Sequence, residues 1–114
     1  MEQKMIYEEA LELIRTEYET QKDSKHAEII YTGLTYDGCN GFCVALYNNG
    51  DELILTDFGE TKEIFDEVEE KQWIELCSEH CFEFRHWRIV RRFTSLRDVE
   101  EFIEFLDFIS EEFR

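Results

Sequence analysis

Proline is absent from the 114 residues and only five glycines occur. Three of these, Gly33, Gly38 and Gly41, fall within nine residues, so the chain has neither a flexible linker nor a low-complexity tract. No run approaches the roughly 18 consecutive apolar residues of a membrane span. The opening "MEQKMIYEEALELIRTEY" is charged and periodic where a secretory leader would be apolar. The expectation is a cytoplasmic protein with no membrane partner. Bases are scarce too: 12 Lys and Arg stand against 28 Asp and Glu, a net charge of −16. Residues 1–58 hold 12 acids and 4 bases and residues 59–114 hold 16 and 8, so the acidity belongs to the whole chain. A field of that sign repels a polyanion, which argues against direct nucleic-acid binding.

Ten Phe, five Tyr and two Trp supply enough apolar material for one core, and the length fits a single compact domain over 1–114. Met5, Ile6, Ala10, Leu13, Ile14 and Tyr18 recur at three and four spacing with glutamates opposite, which predicts an amphipathic helix. "HAEIIYTGL" and "FCVALYNNGDELILT" predict three antiparallel strands in a meander, the last two joined at Asn48, Asn49 and Gly50. Beyond Gly59 the pattern returns to helix through Ile64, Phe65, Val68, Trp73, Leu76 and Cys77, as one long helix or two with a break near Glu69 to Lys71. "CFEFRHWRIVRRF" predicts one or two further strands. Ser95 with Asp98 three residues later reads as a capping box opening a last helix. The fold class is α+β: an antiparallel sheet packed on one face by an N-terminal, a middle and a C-terminal helix.

Catalytic signals are poor. Ser78, Ser95 and Ser110 lie in no nucleophile elbow, and His26, His80 and His86 are scattered. "CNGFC" and "CSEHC" pair Cys39 with Cys43 and Cys77 with Cys81 at C-x3-C spacing near His80 and His86, a zinc possibility. Cys43 sits in an apolar strand run and Cys77 on a helix's apolar stripe, however, and buried free thiols are the commoner use. No cofactor, metal or disulfide is expected. In "LTDFGET", Asp57, Gly59 and Thr61 fit a structural strand-to-helix turn, the carboxylate accepting amides and the glycine taking positive φ. The rival reading makes Asp51, Asp57, Glu60 and Glu63 a divalent-cation site, hence a metal-dependent hydrolase or nuclease accessory centred on Asp57 and Glu60. Glu52-Leu53-Ile54 lacks the lysine that an Glu-x-Lys nuclease requires.

"VALYNNGDELILTDFGETKEIF" resembles the central signature of the bacterial and phage domain of unknown function numbered 1828, in which a hairpin strand runs into a Leu-Thr-Asp-x-Gly-x-Thr turn and a helix. "FEFRHWRIVRRFTSLRDVEEFIEFLDFIS" fits the same layout. The resemblance centres on Leu55 to Thr61 and implies the α+β fold and a phage or prophage origin.

The acids themselves are the strongest remaining feature, since three helices are each expected to carry an acidic face. Carboxylates along rigid helices imitate a phosphate backbone, so the sequence predicts a non-enzymatic protein that binds a basic protein surface. A nucleic-acid-binding host protein, such as a restriction or CRISPR nuclease inhibited by nucleic-acid mimicry, fits that description. The competing reading is a merely solvated face. Glu63, Glu67 and Glu70, with Asp66, are the expected partner-binding row, at three and four spacing on the middle helix. Phe105, Phe108 and Phe113 exceed what one stripe is expected to bury, which offers a homodimer contact.

Overall fold

The computed structural model of the chain describes residues 6–35 and 41–113. Helix α1 (Tyr7–Glu17) leads into strands β1 (Thr20–Ser24), β2 (Ala27–Thr35), β3 (Gly41–Asn48) and β4 (Leu53–Thr56). Helices α2 (Glu60–Ile64) and α3 (Glu70–Glu79) follow, then β5 (Glu83–Arg85), β6 (Arg88–Arg92) and α4 (Leu96–Glu112). The strands form one antiparallel sheet in the order β1-β2-β3-β4-β6-β5. The expected α+β architecture is what the chain adopts. The excursion through α2 and α3 brings the chain back so that β6 pairs with β4 and β5 forms the far edge.

Alternation along the strands explains the layering. Ile30, Phe42, Val44, Leu46, Leu53, Leu55, Ile89 and Phe93 are all buried, and they join one core with Ala10, Leu11 and Ile14 of α1, Trp73 and Cys77 of α3, and Val99, Phe102, Phe105, Leu106 and Ile109 of α4. Helices therefore cover one face of the sheet. At about 25 cal/mol per Å², each fully buried large side chain contributes roughly 1.5–3 kcal/mol. The Asn48–Gly50 turn forms as expected: Asn48 Oδ1 accepts from the Gly50 amide at 3.0 Å, Asn49 Oδ1 accepts from the Glu52 amide at 2.8 Å, and Gly50 has φ +98°.

Three expectations need correction. The meander has a fourth strand, β1, whose side chains after Thr20 are all exposed; an edge strand with no apolar face carries no alternation to read. The middle helix is two helices, broken at 65–69 rather than near Glu69 to Lys71. Phe65 leaves helical geometry at φ −113°, ψ 60° because its ring turns inward, 6.4 Å from Phe42 and 5.8 Å from Phe113 between centroids. The Glu69 amide then donates to Gln72 Oε1 at 3.0 Å and α3 begins. Glu63 closes on α2, Asp66 and Glu67 lie in the turn and Glu70 starts α3, so the four are exposed but do not form a row on one helix. Finally, α4 buries more than one stripe was expected to hold. Phe105 is 3% exposed and Phe113 packs on Phe65 and Trp73, leaving Phe108, at 39%, as the aromatic that faces solvent.

Candidate functional site

Asp57 follows the last residue of β4 and is fully buried. One carboxylate oxygen accepts from the amides of Gly59 at 2.9 Å and Ile89 at 3.0 Å; the other accepts from the Thr61 amide at 3.3 Å. The first and last bonds are the expected cap of the turn. The bond to Ile89, 32 residues away, was not legible in the sequence and ties the turn to β6. Burial pushes the Asp57 carboxyl above its usual value, while the Gly59, Ile89 and Thr61 donors pull the other way. The Thr61 hydroxyl is buried and makes no hydrogen bond of ordinary geometry, although it lies close enough to Asp57 to favour the charged form. With both oxygens turned onto backbone amides, Asp57 is committed to holding the turn.

The turn faces the β5–β6 hairpin. Phe58 (φ +57°) and Gly59 (φ +80°) are left-handed, and so are His86 (φ +53°) and Trp87 (φ +64°) at the hairpin tip. Two-residue hairpin turns of this kind favour Asn and Gly, because a Cβ in the left-handed region costs roughly 1–2 kcal/mol per residue. A Cβ on Gly59 would stand 3.1 Å from the Trp87 carbonyl oxygen, so the two turns are packed against each other and a side chain there would add both crowding and strain. Between them lies a cleft of about 290 Å³, lined by Phe58, Gly59, Glu60, Lys62, Glu63, His86, Trp87 and Arg88. Trp87 is 43% exposed; the edge of the Phe84–Trp87 pair and the Lys62 ammonium, 5.3 Å from the indole centroid, hold its ring.

The structure separates the acids into two groups. Glu28, Asp57 and Asp98 are buried. Glu28 receives Arg15 Nε at 2.7 Å, the Arg15 Nη2 and the Thr20 hydroxyl at 2.7 Å; the Arg15 contact holds its carboxyl below the usual range against the effect of burial. Burial would raise Asp98, but the Thr94 hydroxyl and amide, the Ser95 amide and Arg91 outweigh it and its carboxyl titrates low. Asp98 and Ser95 form the expected capping box. The remaining helical acids are exposed, apart from the half-buried Glu101. Bases take acids close by: Lys62 pairs with Glu63, Arg85 with Glu83, Arg91 with Asp98 and Glu101, and Arg97 with Glu101. Glu100, Glu104, Asp107 and Glu111 are exposed along one side of α4, without a salt bridge among the described residues. Their four, three, four spacing makes the continuous acidic row that was expected on the middle helix. Glu63, Asp66, Glu67, Glu69 and Glu70 form instead an acidic elbow around the α2–α3 junction, next to the cleft.

Among the described residues no group of three or more His, Cys, Asp or Glu is arranged to hold a metal. Cys39 lies outside the described residues. Burial pushes the Cys43 thiol up to about 11 and the Cys77 thiol up to about 12, so both stay protonated at neutral pH; Cys81 is exposed. His80 packs between Phe105 and Phe108, with centroids 5.0 and 4.7 Å away. Among the described residues no helix is long and apolar enough to cross a membrane. Comparison of the chain with protein-family models, with curated proteins and with solved structures finds no match.

Proposed function

We propose that this is a non-enzymatic acidic interaction protein, of phage or prophage origin on the strength of the Leu55 to Thr61 resemblance, that binds the basic surface of a nucleic-acid-binding protein. Its carboxylates occupy phosphate positions, and a host restriction or CRISPR nuclease is the class of target this chemistry fits. The observation that carries the reading is the distribution of charge. The described arginines that make ion pairs do so with Glu28, Glu83, Asp98 and Glu101, while Glu100, Glu104, Asp107 and Glu111 on α4 project unpaired on a rigid helix. Helical spacing alone would put polar residues in a row on the outer side of α4; what supports mimicry is that all four are acids and that no base answers them among the described residues. The α2–α3 elbow, with Glu63, Asp66, Glu67 and Glu70, adds a second acidic surface.

The test is displacement of DNA. Proteins captured from host lysate by the chain at low salt are tested for DNA binding in its presence. Glu100→Gln/Glu104→Gln/Asp107→Asn/Glu111→Gln and Glu63→Gln/Glu67→Gln/Glu70→Gln variants are run beside the wild type. The expected result is a captured DNA-binding protein whose DNA is displaced by the wild type and much less by the α4 variant. Capture of none, or equal displacement by every variant, ends the mimicry reading. The metal-dependent alternative centred on Asp57 and Glu60 has less support because the Asp57 oxygens are turned onto three amides. A rise in melting temperature with millimolar Mg or Mn that exceeds NaCl at matched ionic strength and is lost in Glu60→Gln would revive it.

A further inference from the structure

The cleft between the Phe58-Gly59 turn and the His86-Trp87 tip contains chemistry that the acidic rows do not. Glu60 and Glu63 are exposed on one side of it, and an indole with 43% of its surface open to solvent stands on the other. The chain's own Lys62 shows what such a place accepts: its ammonium lies 5.3 Å from the Trp87 ring centroid and 3.0 Å from Glu63 Oε1. A cation between an aromatic face and a carboxylate gains from both, most when water is excluded. We propose that this cleft receives an arginine side chain from a basic protein partner, its guanidinium against Trp87 and the Glu60 and Glu63 carboxylates. The inference takes the nature of the partner from the proposed function and adds the point at which that partner is gripped.

Arginine is the occupant the site fits better than lysine. A planar guanidinium stacks on an indole while presenting paired N–H donors to a carboxylate, whereas an ammonium is a point charge with a stronger hold on water. The receiving surface is also preset. Asp57 bonds the Gly59 and Ile89 amides, so the turn and the strand after the tip are held by one buried side chain. Gly59 packs so close to the Trp87 carbonyl that a Cβ would come within 3.1 Å of its oxygen, and Phe84 contacts the Trp87 ring edge-on, centroids 5.9 Å apart. The backbone of the site needs little ordering on binding, which favours affinity, while Lys62 has to leave the indole and Glu63. Backbone strain points the same way: among the described residues, three of the four non-glycine left-handed ones, Phe58, His86 and Trp87, line this cleft. Bulky residues persist in such conformations where the surrounding structure enforces them, most often at functional sites. Arg88 is the opposing term, since its charge borders the same space. Its Cγ packs 3.7 Å from the position of a Gly59 Cβ, and Glu60 and Glu63 supply two negative charges against its one.

Nona-arginine and nona-lysine peptides are the probes, with binding measured by calorimetry and by acrylamide quenching of tryptophan fluorescence. Trp73 is fully buried, so quenching reports on Trp87. Nona-arginine is expected to bind more tightly than nona-lysine and to shield the indole from acrylamide. Trp87→Leu should weaken nona-arginine about fivefold while Trp87→Phe keeps most of the affinity. Glu60→Gln/Glu63→Gln, which removes two charges at the cleft, should weaken it more than Glu104→Gln/Asp107→Asn, which removes two from α4. Lys62→Met should tighten it more than Lys71→Met, which removes the same charge outside the cleft. Equal effects of the two charge pairs, or an unshielded indole in the wild-type protein, overturn the proposal, and the second result does so even if Trp87→Leu fails to fold. Nona-arginine seated in the cleft without DNA displacement would sink mimicry alone. Displacement unchanged by Trp87→Leu would sink the cleft alone.

Discussion

Glu28 is a carboxylate with 2% exposure whose two oxygens are met by Arg15 and Thr20, and it fastens α1 to β2. Its folded pKa is depressed, first by the Arg15 hydrogen bonds, so its contribution to stability is fully present above the unfolded value near 4.5 and is lost as pH falls through the folded value. Asp57 has the opposite sign. Burial raises its folded pKa, so between the unfolded value of 3.8 and that raised value the folded state holds a proton the unfolded chain has released, and stability falls as pH rises through that window. Acid unfolding therefore draws on Glu28 and Asp98, not on Asp57. Melting temperatures measured from neutral pH down to about pH 3 should show a shallower acid limb for Glu28→Gln than for wild type, with a loss at neutral pH of about 1–3 kcal/mol for the buried hydrogen bonds removed. An unchanged acid limb would mean that Glu28 is equally paired in the unfolded chain. Asp57→Ala strips the partner from three backbone amides, more than the 0.5–2 kcal/mol typical of a lost helix cap. Roughly 3 kcal/mol is expected by chemical denaturation, with partner binding preserved wherever the protein remains folded.

At the level of elements, α4 has two sides with separate duties. Its inner side buries Val99, Phe102, Phe105, Leu106 and Ile109, and its start is fixed by Asp98, which takes the Thr94 and Ser95 amides at 2.6 and 3.0 Å and pairs with Arg91. Asp98→Ala should cost about 2 kcal/mol and raise amide exchange at Thr94 and Ser95, whereas charge removal at Glu104 and Asp107 should leave both unchanged. α1 and α4 were legible because their apolar residues repeat at helical spacing, and the Asn48–Gly50 hairpin and Asp98 capping box because turn chemistry is local. β1 was hidden by its polarity. The break after Ile64 was misplaced because no glycine or proline marks it; Phe65 bends the chain to reach Phe42 and Phe113, partners remote in sequence. The cleft was missed for the same kind of reason. "DFGE" and "HW" are separated by more than twenty residues, and His-Trp is a poor sequence signal for a tight turn.

Across the whole molecule, the net charge of −16 acts on folding and on binding with opposite signs. Carboxylates crowded on one compact body repel one another, and salt shortens the range of that repulsion to about 8 Å at physiological ionic strength. Raising NaCl from about 10 to 150 mM should raise the melting temperature by roughly 4 °C, the shift about 1 kcal/mol produces in a chain of this size. The same change should weaken capture of a basic partner. A melting temperature that falls with salt would show that the ion pairs, Arg91 with Asp98 and Glu101 foremost, outweigh the repulsion.

The hairpin tip places His86 and Trp87 where Asn and Gly would rest without strain. A chain selected only for persistence would drift toward Asn-Gly there, and each generation of stability screening on a random library should enrich that pair. A library screened for capture of the partner should hold the tryptophan against the drift. The divergence of the two enriched populations at these two codons would measure, in a form independent of any assay of mechanism, how much of the tip's geometry is kept for something other than the fold.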